Sequence, residues 1–166
     1  MDSSPIPEVT AARKAGLGVL GKNGLLITKK YGSFVFLGEI LTDKVFPYKN
    51  ENGECINCGE CEKNCPNHLK GRNNCLSSIT QKKGELETQE KELLIKHNTA
   101  WGCDICQEVC PLNKDKSLST EPQFLESYRD EYIMGEDISF RAFNWRGRKV
   151  IERNLKILGD KNECEK

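Results

Sequence analysis

Cys55-Ile56-Asn57-Cys58-Gly59-Glu60-Cys61-Glu62-Lys63-Asn64-Cys65-Pro66 decides the fold. Three cysteines at two-residue separations put three thiolates on one tight loop, and the open turns between them leave backbone N–H groups free to hydrogen-bond sulfur. Such a loop wraps three corners of a four-iron cubane. The fourth cysteine follows after three residues and is expected to begin a short helix aimed away from that cubane, toward a neighbouring one. Pro66 keeps the chain from closing back as a continued helix. A related run lies downstream: Cys103-Asp104-Ile105-Cys106-Gln107-Glu108-Val109-Cys110-Pro111. It ends as the first does but lacks a first cysteine at the expected spacing. Cys75 is the spare cysteine nearby, and it takes that ligand's place across an inserted helical segment.

The two runs together form the bacterial-ferredoxin pattern with crossed ligation. Cluster one takes Cys55, Cys58, Cys61 and Cys110; cluster two takes Cys65, Cys75, Cys103 and Cys106. Of nine cysteines, Cys164 alone is left over and reads as an ordinary surface thiol. Zinc is the competing metal, but it favours paired CxxC knuckles, sometimes with histidine. His68 and His97 are not at knuckle spacing and read as ordinary polar residues. Trp101, beside the second run, reads as a packing aromatic that shields cluster two from water. Two adjacent [4Fe-4S] clusters pass single electrons, for a free carrier or for a catalytic centre on the same chain.

The remaining composition fits a chain folded partly around metal. Only 37% of its 166 residues are apolar, a lean core that metal-binding free energy supplements. Lys plus Arg and Asp plus Glu both total 25, which excludes holding nucleic acid by bulk charge. Each loaded cubane with four thiolates carries about −2, so the holoprotein is acidic around its clusters. No run approaches a membrane span, and the N-terminus lacks the pattern of a secretory signal. Clustered cysteines without a signal point to metal or redox chemistry in the cytoplasm.

Around the cysteines, Pro5 or Pro7 opens a helix continued by Val9, Ala11, Ala12 and Ala15 and stopped by Gly16 and Gly18. Leu25 to Thr28 reads as a short buried strand, and Lys29 to Gly32 as a turn. Ser33 to Thr42 is the strongest strand signal, rich in β-branched and aromatic residues. These strands are too small to be stable alone and look like the edge of something larger. Residues 43–54 read as a linker, Glu85 to His97 as a helix with Leu86, Leu93 and Leu94 inward, and 114–121 as a loop. A last helix near Arg146–Leu158 carries Ile151, Leu155 and Leu158 on one face, and Asp160 to Lys166 is expected to fray. Arg146, Arg148, Lys149 and Arg153 make it locally basic, and a solvated face is favoured over a tRNA-facing one.

Flanking motifs then add a resemblance. Asp2-Ser3-Ser4-Pro5-Ile6, Ala15-Gly16-Leu17-Gly18, Gly21-Lys22-Asn23, Tyr31-Gly32-Ser33 and Phe36-Leu37-Gly38-Glu39-Ile40-Leu41 resemble epoxyqueuosine reductase. So do Cys75-Leu76-Ser77 and Gly102 to Pro111, with a weaker match at Trp145-Arg146-Gly147 and Arg153-Asn154. The resemblance implies a cobalamin-dependent enzyme with two [4Fe-4S] clusters that reduces epoxyqueuosine in tRNA to queuosine. It places the catalytic acid on Asp2, supplying the proton to the leaving epoxide oxygen. It sets Gly16, Gly18, Gly21, Lys22 and Asn23 against the corrin, where small residues permit close approach. It also implies a flavodoxin- or ferredoxin-type electron donor and no membrane.

The match has departures: Glu8-Val9, Val19, Thr99 and Ser78 replace the family's usual residues. The family also carries a substantial corrin-binding portion before the Asp2 motif and, in longer members, a tRNA-gripping helical repeat after it. The expected architecture is therefore α+β: a remnant edge of a corrin-binding α/β domain (1–45), a ferredoxin-like double-cluster domain (46–114) and a helical tail (115–166). The front half is expected on a separate polypeptide or lost by truncation. The alternatives are a stand-alone two-cluster electron carrier, a corrinoid reductase of the reductive-dehalogenase type, and a zinc-binding interaction module.

Overall fold

Helix-forming runs are short and glycine-punctuated, and the resulting secondary structure is mostly helical with one two-stranded sheet. The computed structural model describes residues 7–47, 53–67, 74–126, 132–141 and 143–164, the last five of these by backbone alone. In chain order the elements are α1 (Glu8–Lys14), β1 (Val19–Leu20), β2 (Leu26–Ile27), α2 (Glu60–Lys63), α3 (Leu76–Thr80), α4 (Thr88–His97), α5 (Ile105–Glu108), α6 (Pro122–Glu126) and α7 (Arg148–Cys164). No helix among the described residues is long and apolar enough to cross a membrane.

The chain forms two compact units, each drawing on two separated segments: Met1–Asn64 with Ile105–Pro122, and Cys65–Asp104 with Gln123–Lys166. In the first unit, α1 packs on an antiparallel hairpin that pairs Val19 with Ile27 and Leu20 with Leu26. Ala12, Leu26 and Ile27 are its buried apolar residues beside Cys61. Gly18 is there because the β2 backbone passes so close that a Cβ would overlap the Ile27 carbonyl oxygen. One-turn helices α2 and α5 pack together.

Asn113 closes this unit. Its Oδ1 accepts Ser33 N–H at 2.8 Å, and its Nδ2 donates to Ser33 Oγ at 2.8 Å and to Gln107 O at 2.7 Å. Gly32, at φ +60, lies so close that any Cβ there would overlap Asn113 Oδ1. The Tyr31-Gly32-Ser33 turn is thereby fastened to the segment that follows Cys110.

In the second unit α3, α4 and α7 enclose a core of Leu76, Ile79, Leu86 and Leu94, against which Leu93, Cys103, Ile157 and Leu158 pack. Glu87 and Glu90 form a capping box at the start of α4, and left-handed Asn98 ends it. Gly147, at φ +86, separates a 3₁₀ turn at Asn144–Arg146 from α7. The buried face of α7 is Val150, Ile151 and Asn154, continued by the partly buried Ile157 and Leu158.

Four expectations need correction. Ser33 to Thr42 forms no strand: no partner edge lies beside it among the described residues, and strand propensity alone makes no hydrogen bonds. Phe36, Ile40 and Leu41 are instead 92%, 91% and 86% exposed. Helix α7 does not fray at Asp160; its backbone hydrogen-bonding continues to Cys164. Its inward face is turned by one residue, with Asn154 buried where Leu155 was expected. Cys65 does not begin a helix; α2 precedes it and carries Cys61.

Candidate metal centre

A five-residue loop at the tip of the hairpin sets one wall of the first site. Gly21 N–H donates to Leu25 O at 2.9 Å, Gly24 N–H donates to Gly21 O at 2.9 Å, and Gly24 turns the chain at φ +79. This is a short hairpin connection whose last turn residue must be left-handed. Gly21 is small of necessity: a Cβ there would lie 2.5 Å from Asn23 Oδ1 and 3.0 Å from Ile27 Cδ1. Asn23 Oδ1 accepts Leu25 N–H at 3.2 Å, which folds its side chain back over the turn.

The cysteine loop forms the opposite wall. Asn57 (φ +54) and Gly59 (φ +77) are both left-handed, which gives the loop its tight winding before α2. Gly21, Lys22, Asn23 and Ile27 from the hairpin meet Cys55, Ile56, Cys58, Gly59, Cys61 and Cys110 around a small cavity. The four cysteines assigned to cluster one by spacing thus share one cavity wall. Among the described residues, no three or more His, Cys, Asp or Glu side chains converge as a single ion requires. Thiols spread around a cavity suit a polynuclear group better than a mononuclear one.

The electrostatics agree. Burial pushes the Cys61 thiol up, and the Glu62 carboxylate adds to this against a backbone hydrogen bond from Glu62 that opposes it. A bare thiolate is therefore disfavoured there, and a cationic iron core reverses that balance. Lys22 Nζ bonds Glu62 Oε2 at 3.1 Å, and this hydrogen bond raises the lysine above its ordinary value.

A polar network surrounds Cys75 and Cys103. Cys65, Cys75 and Cys103 lie in the second unit; Cys106 falls in the first, on α5. Asn67 Nδ2 donates to Asn74 O at 2.7 Å, drawing together the residues next to Cys65 and Cys75. Cys75 is the N-cap of α3. At the other end of α3, Thr80 Oγ1 accepts Gly102 N–H at 3.1 Å. Asn154, fully buried, donates Nδ2 to Thr80 O and to Ala100 O, both at 2.7 Å. This network fixes α3 against the segment that enters Cys103. Trp101 packs on Phe143 at 5.6 Å between ring centroids.

The other expected residues are dispersed. Gly16 and Gly18 line a separate groove with Leu17, Val19, Gly53 and Leu112, away from the cavity that Gly21, Lys22 and Asn23 line. Asp2 and His68 lie outside the described residues. Of the basic cluster, Arg153 is committed internally, its Nη1 donating to Lys82 O at 2.7 Å and to Gly84 O. Arg146 lies over the Trp145 ring at 4.0 Å. Lys149 borders an open groove that also contains Glu85 and Glu152, a mixed-charge surface. Asn113 and Asn154 were not singled out for these roles, although Arg153-Asn154 belongs to the resemblance. Nothing local in sequence marks an asparagine whose partners lie dozens of positions away.

Comparison with known proteins agrees with the site. The 4Fe-4S double cluster binding domain family matches residues 54–113, which contain all eight assigned ligands. Epoxyqueuosine reductase from Listeria monocytogenes is 37% identical over 95% of the chain and 46% of the relative's length. The chain is similar to about half of an epoxyqueuosine reductase. Epoxyqueuosine reductase from Lactococcus garvieae is 35% identical over 98% of the chain and 52% of its own length. The chain thus spans about half the length of the curated relatives it matches. A solved epoxyqueuosine reductase superposes with a TM-score of 0.80 at 28% identity, covering 95% of this chain and 46% of that one. Another, solved with an epoxyqueuosine-modified tRNA-Tyr stem loop, gives a TM-score of 0.79 at 28% identity over the same shares.

Proposed function

We propose that this chain is the electron-delivery portion of an epoxyqueuosine reductase, acting in the cytoplasm on epoxyqueuosine in tRNA. The observation that carries the reading is the shared cavity of Cys55, Cys58, Cys61 and Cys110 inside a matched double-cluster domain. These four hold cluster one, and Cys65, Cys75, Cys103 and Cys106 hold cluster two. When bound, the clusters supply single electrons and cobalamin supplies the low-valent cobalt that removes the epoxide oxygen. The chain's own part is to bind the clusters, shield them with packed side chains such as Trp101, and present Asp2 as the proton source for the departing oxygen. Gly16 and Gly18, in their groove with Leu17, are the glycines left to approach a corrin.

The exposed segment after Ser33 fits this reading. Phe34, Val35, Phe36, Leu37, Ile40 and Leu41 place apolar residues on both parities, the pattern of a strand covered on both faces. It completes a sheet in the corrin-binding portion, the remnant edge expected from sequence. A flavodoxin- or ferredoxin-type protein is the electron donor.

The test is anaerobic reconstitution followed by complementation. The chain should take up about eight iron and eight sulfide, as two cubanes require. Alone it should bind cobalamin weakly or not at all. Supplied with the corrin-binding portion of a homologue, it should convert an epoxyqueuosine-containing tRNA stem loop to the queuosine form. Full cluster loading without any complementation would support the stand-alone electron carrier instead.

A further inference from the structure

The cavity of the four cysteines contains one group whose hydrogen-bonding capacity is unused. Asn23 lines it, and Asn23 Nδ2 is buried with no hydrogen-bond partner among the described residues. The amide cannot simply be turned over: Oδ1 already accepts Leu25 N–H at 3.2 Å, and a flip would set two donors against each other. Gly21 leaves room for this side chain, since a Cβ there would lie 2.5 Å from Asn23 Oδ1. A buried donor held this firmly without an acceptor calls for a specific partner. In a cavity walled by four thiols, that partner is sulfur.

We propose that Asn23 Nδ2 donates an N–H···S hydrogen bond to cluster one and raises its reduction potential. The proposal rests on reading Cys55, Cys58, Cys61 and Cys110 as the ligands of that cluster. Reduction adds one electron and no proton, and the added negative charge spreads over sulfur. A fixed N–H dipole aimed at sulfur favours the reduced state, and hydrogen bonds of this kind help set cluster potentials. Lys22 lies on the same wall, but its charge is paired with Glu62 at 3.1 Å. Asn23 is therefore the uncompensated dipole of that wall.

The experiment uses the anaerobically reconstituted full chain as wild type, Asn23→Leu and Asn23→Asp. Asn23→Asp keeps an oxygen for Leu25 N–H while removing the NH₂ group, so it protects the comparison if Asn23→Leu disturbs the turn. Potentiometric titration followed by electron paramagnetic resonance uses dithionite as electron source, with Cys75→Ser identifying the signal of cluster one. At the wild-type midpoint, the reduced-to-oxidised ratio of cluster one should fall about tenfold in Asn23→Leu, ~59 mV for one electron, and further in Asn23→Asp, whose carboxylate adds its own negative charge. Cluster two should not shift. Pulsed resonance of the reduced protein in D₂O should detect one exchangeable-deuteron coupling to cluster one in the wild type beyond those that remain in both variants. An unchanged cluster-one midpoint, with both clusters loaded, overturns the proposal. Failure of the wild type to load cluster one overturns the ligand reading and the proposal with it, and the iron count separates the two failures.

Discussion

Truncating Asn154 to alanine should cost about 3 kcal/mol, because it strips two buried carbonyls of their donors. Thr80 O and Ala100 O each receive Asn154 Nδ2 at 2.7 Å, at a side chain with no solvent exposure. Each orphaned acceptor is worth about 1–3 kcal/mol, and water reaching half-buried Ala100 keeps the sum near the middle of the range. That is a large share of a typical net stability of about 5–15 kcal/mol. With a urea slope of about 2 kcal/mol per molar, the midpoint should fall by roughly 1.5 M. The assay is anaerobic urea titration of the cluster-loaded chain, read by far-ultraviolet circular dichroism and visible absorbance in parallel. The same network holds the segment entering Cys103, so cluster two should bleach before cluster one. Asn154→Asp keeps the volume but removes both donors, and should lose nearly as much stability as Asn154→Ala. Midpoints of both variants within about 0.5 M of wild type, on that same slope, would refute the reasoning.

Gly32→Ala should destabilise the first unit by more than about 2 kcal/mol, since it adds left-handed strain to an overlap with Asn113; a thermal melt checks it. Arg153→Lys should lower the urea midpoint by losing the guanidinium bonds to Lys82 O and Gly84 O, whereas Lys149→Ala, on an open groove, should leave it unchanged. Cys110→Ser and Cys65→Ser should each reduce iron from about eight to about four per chain, by loss of opposite clusters, as elemental analysis and resonance spectra will show. Retention of full iron by either variant contradicts the crossed assignment.

What the sequence disclosed depended on the range of each interaction. Cysteine spacing within each run is a local pattern, so each run was legible; the structure adds that Cys110 lines the same cavity as Cys55, Cys58 and Cys61. Leu25 to Thr28 was legible as a strand because it is a compact apolar run; its partner Val19–Leu20 was missed because two residues beside Gly18 carry no period. The stretch from Ser33 to Thr42 shows the converse. Apolar residues on both parities record that both faces need covering, and the covering elements are not among the described residues. The inward face of α7 was misplaced by one residue because hydrophobicity pointed to Leu155, while the buried position holds a polar asparagine with distant partners. Cofactor assignments split for a similar reason: Gly16, Gly18, Gly21, Lys22 and Asn23 form a continuous motif, but the hairpin turns its two ends to different cavities.

The interleaving of the two units sets the order in which the chain can mature. Ser33 finds its buried partner only after Asn113 has been synthesised, and the cavity wall containing Cys55 stays incomplete until Cys110 arrives. The early segment must therefore wait on the ribosome with its thiols unclaimed, exposed to oxidants and to stray metal. The second unit waits longer still, because Asn154 is made after Asn113. Neither half can be released by a single proteolytic nick between them, since each unit owns chain on both sides of the other. The first cavity therefore closes only after the chain on both sides of residues 65–104 has been made.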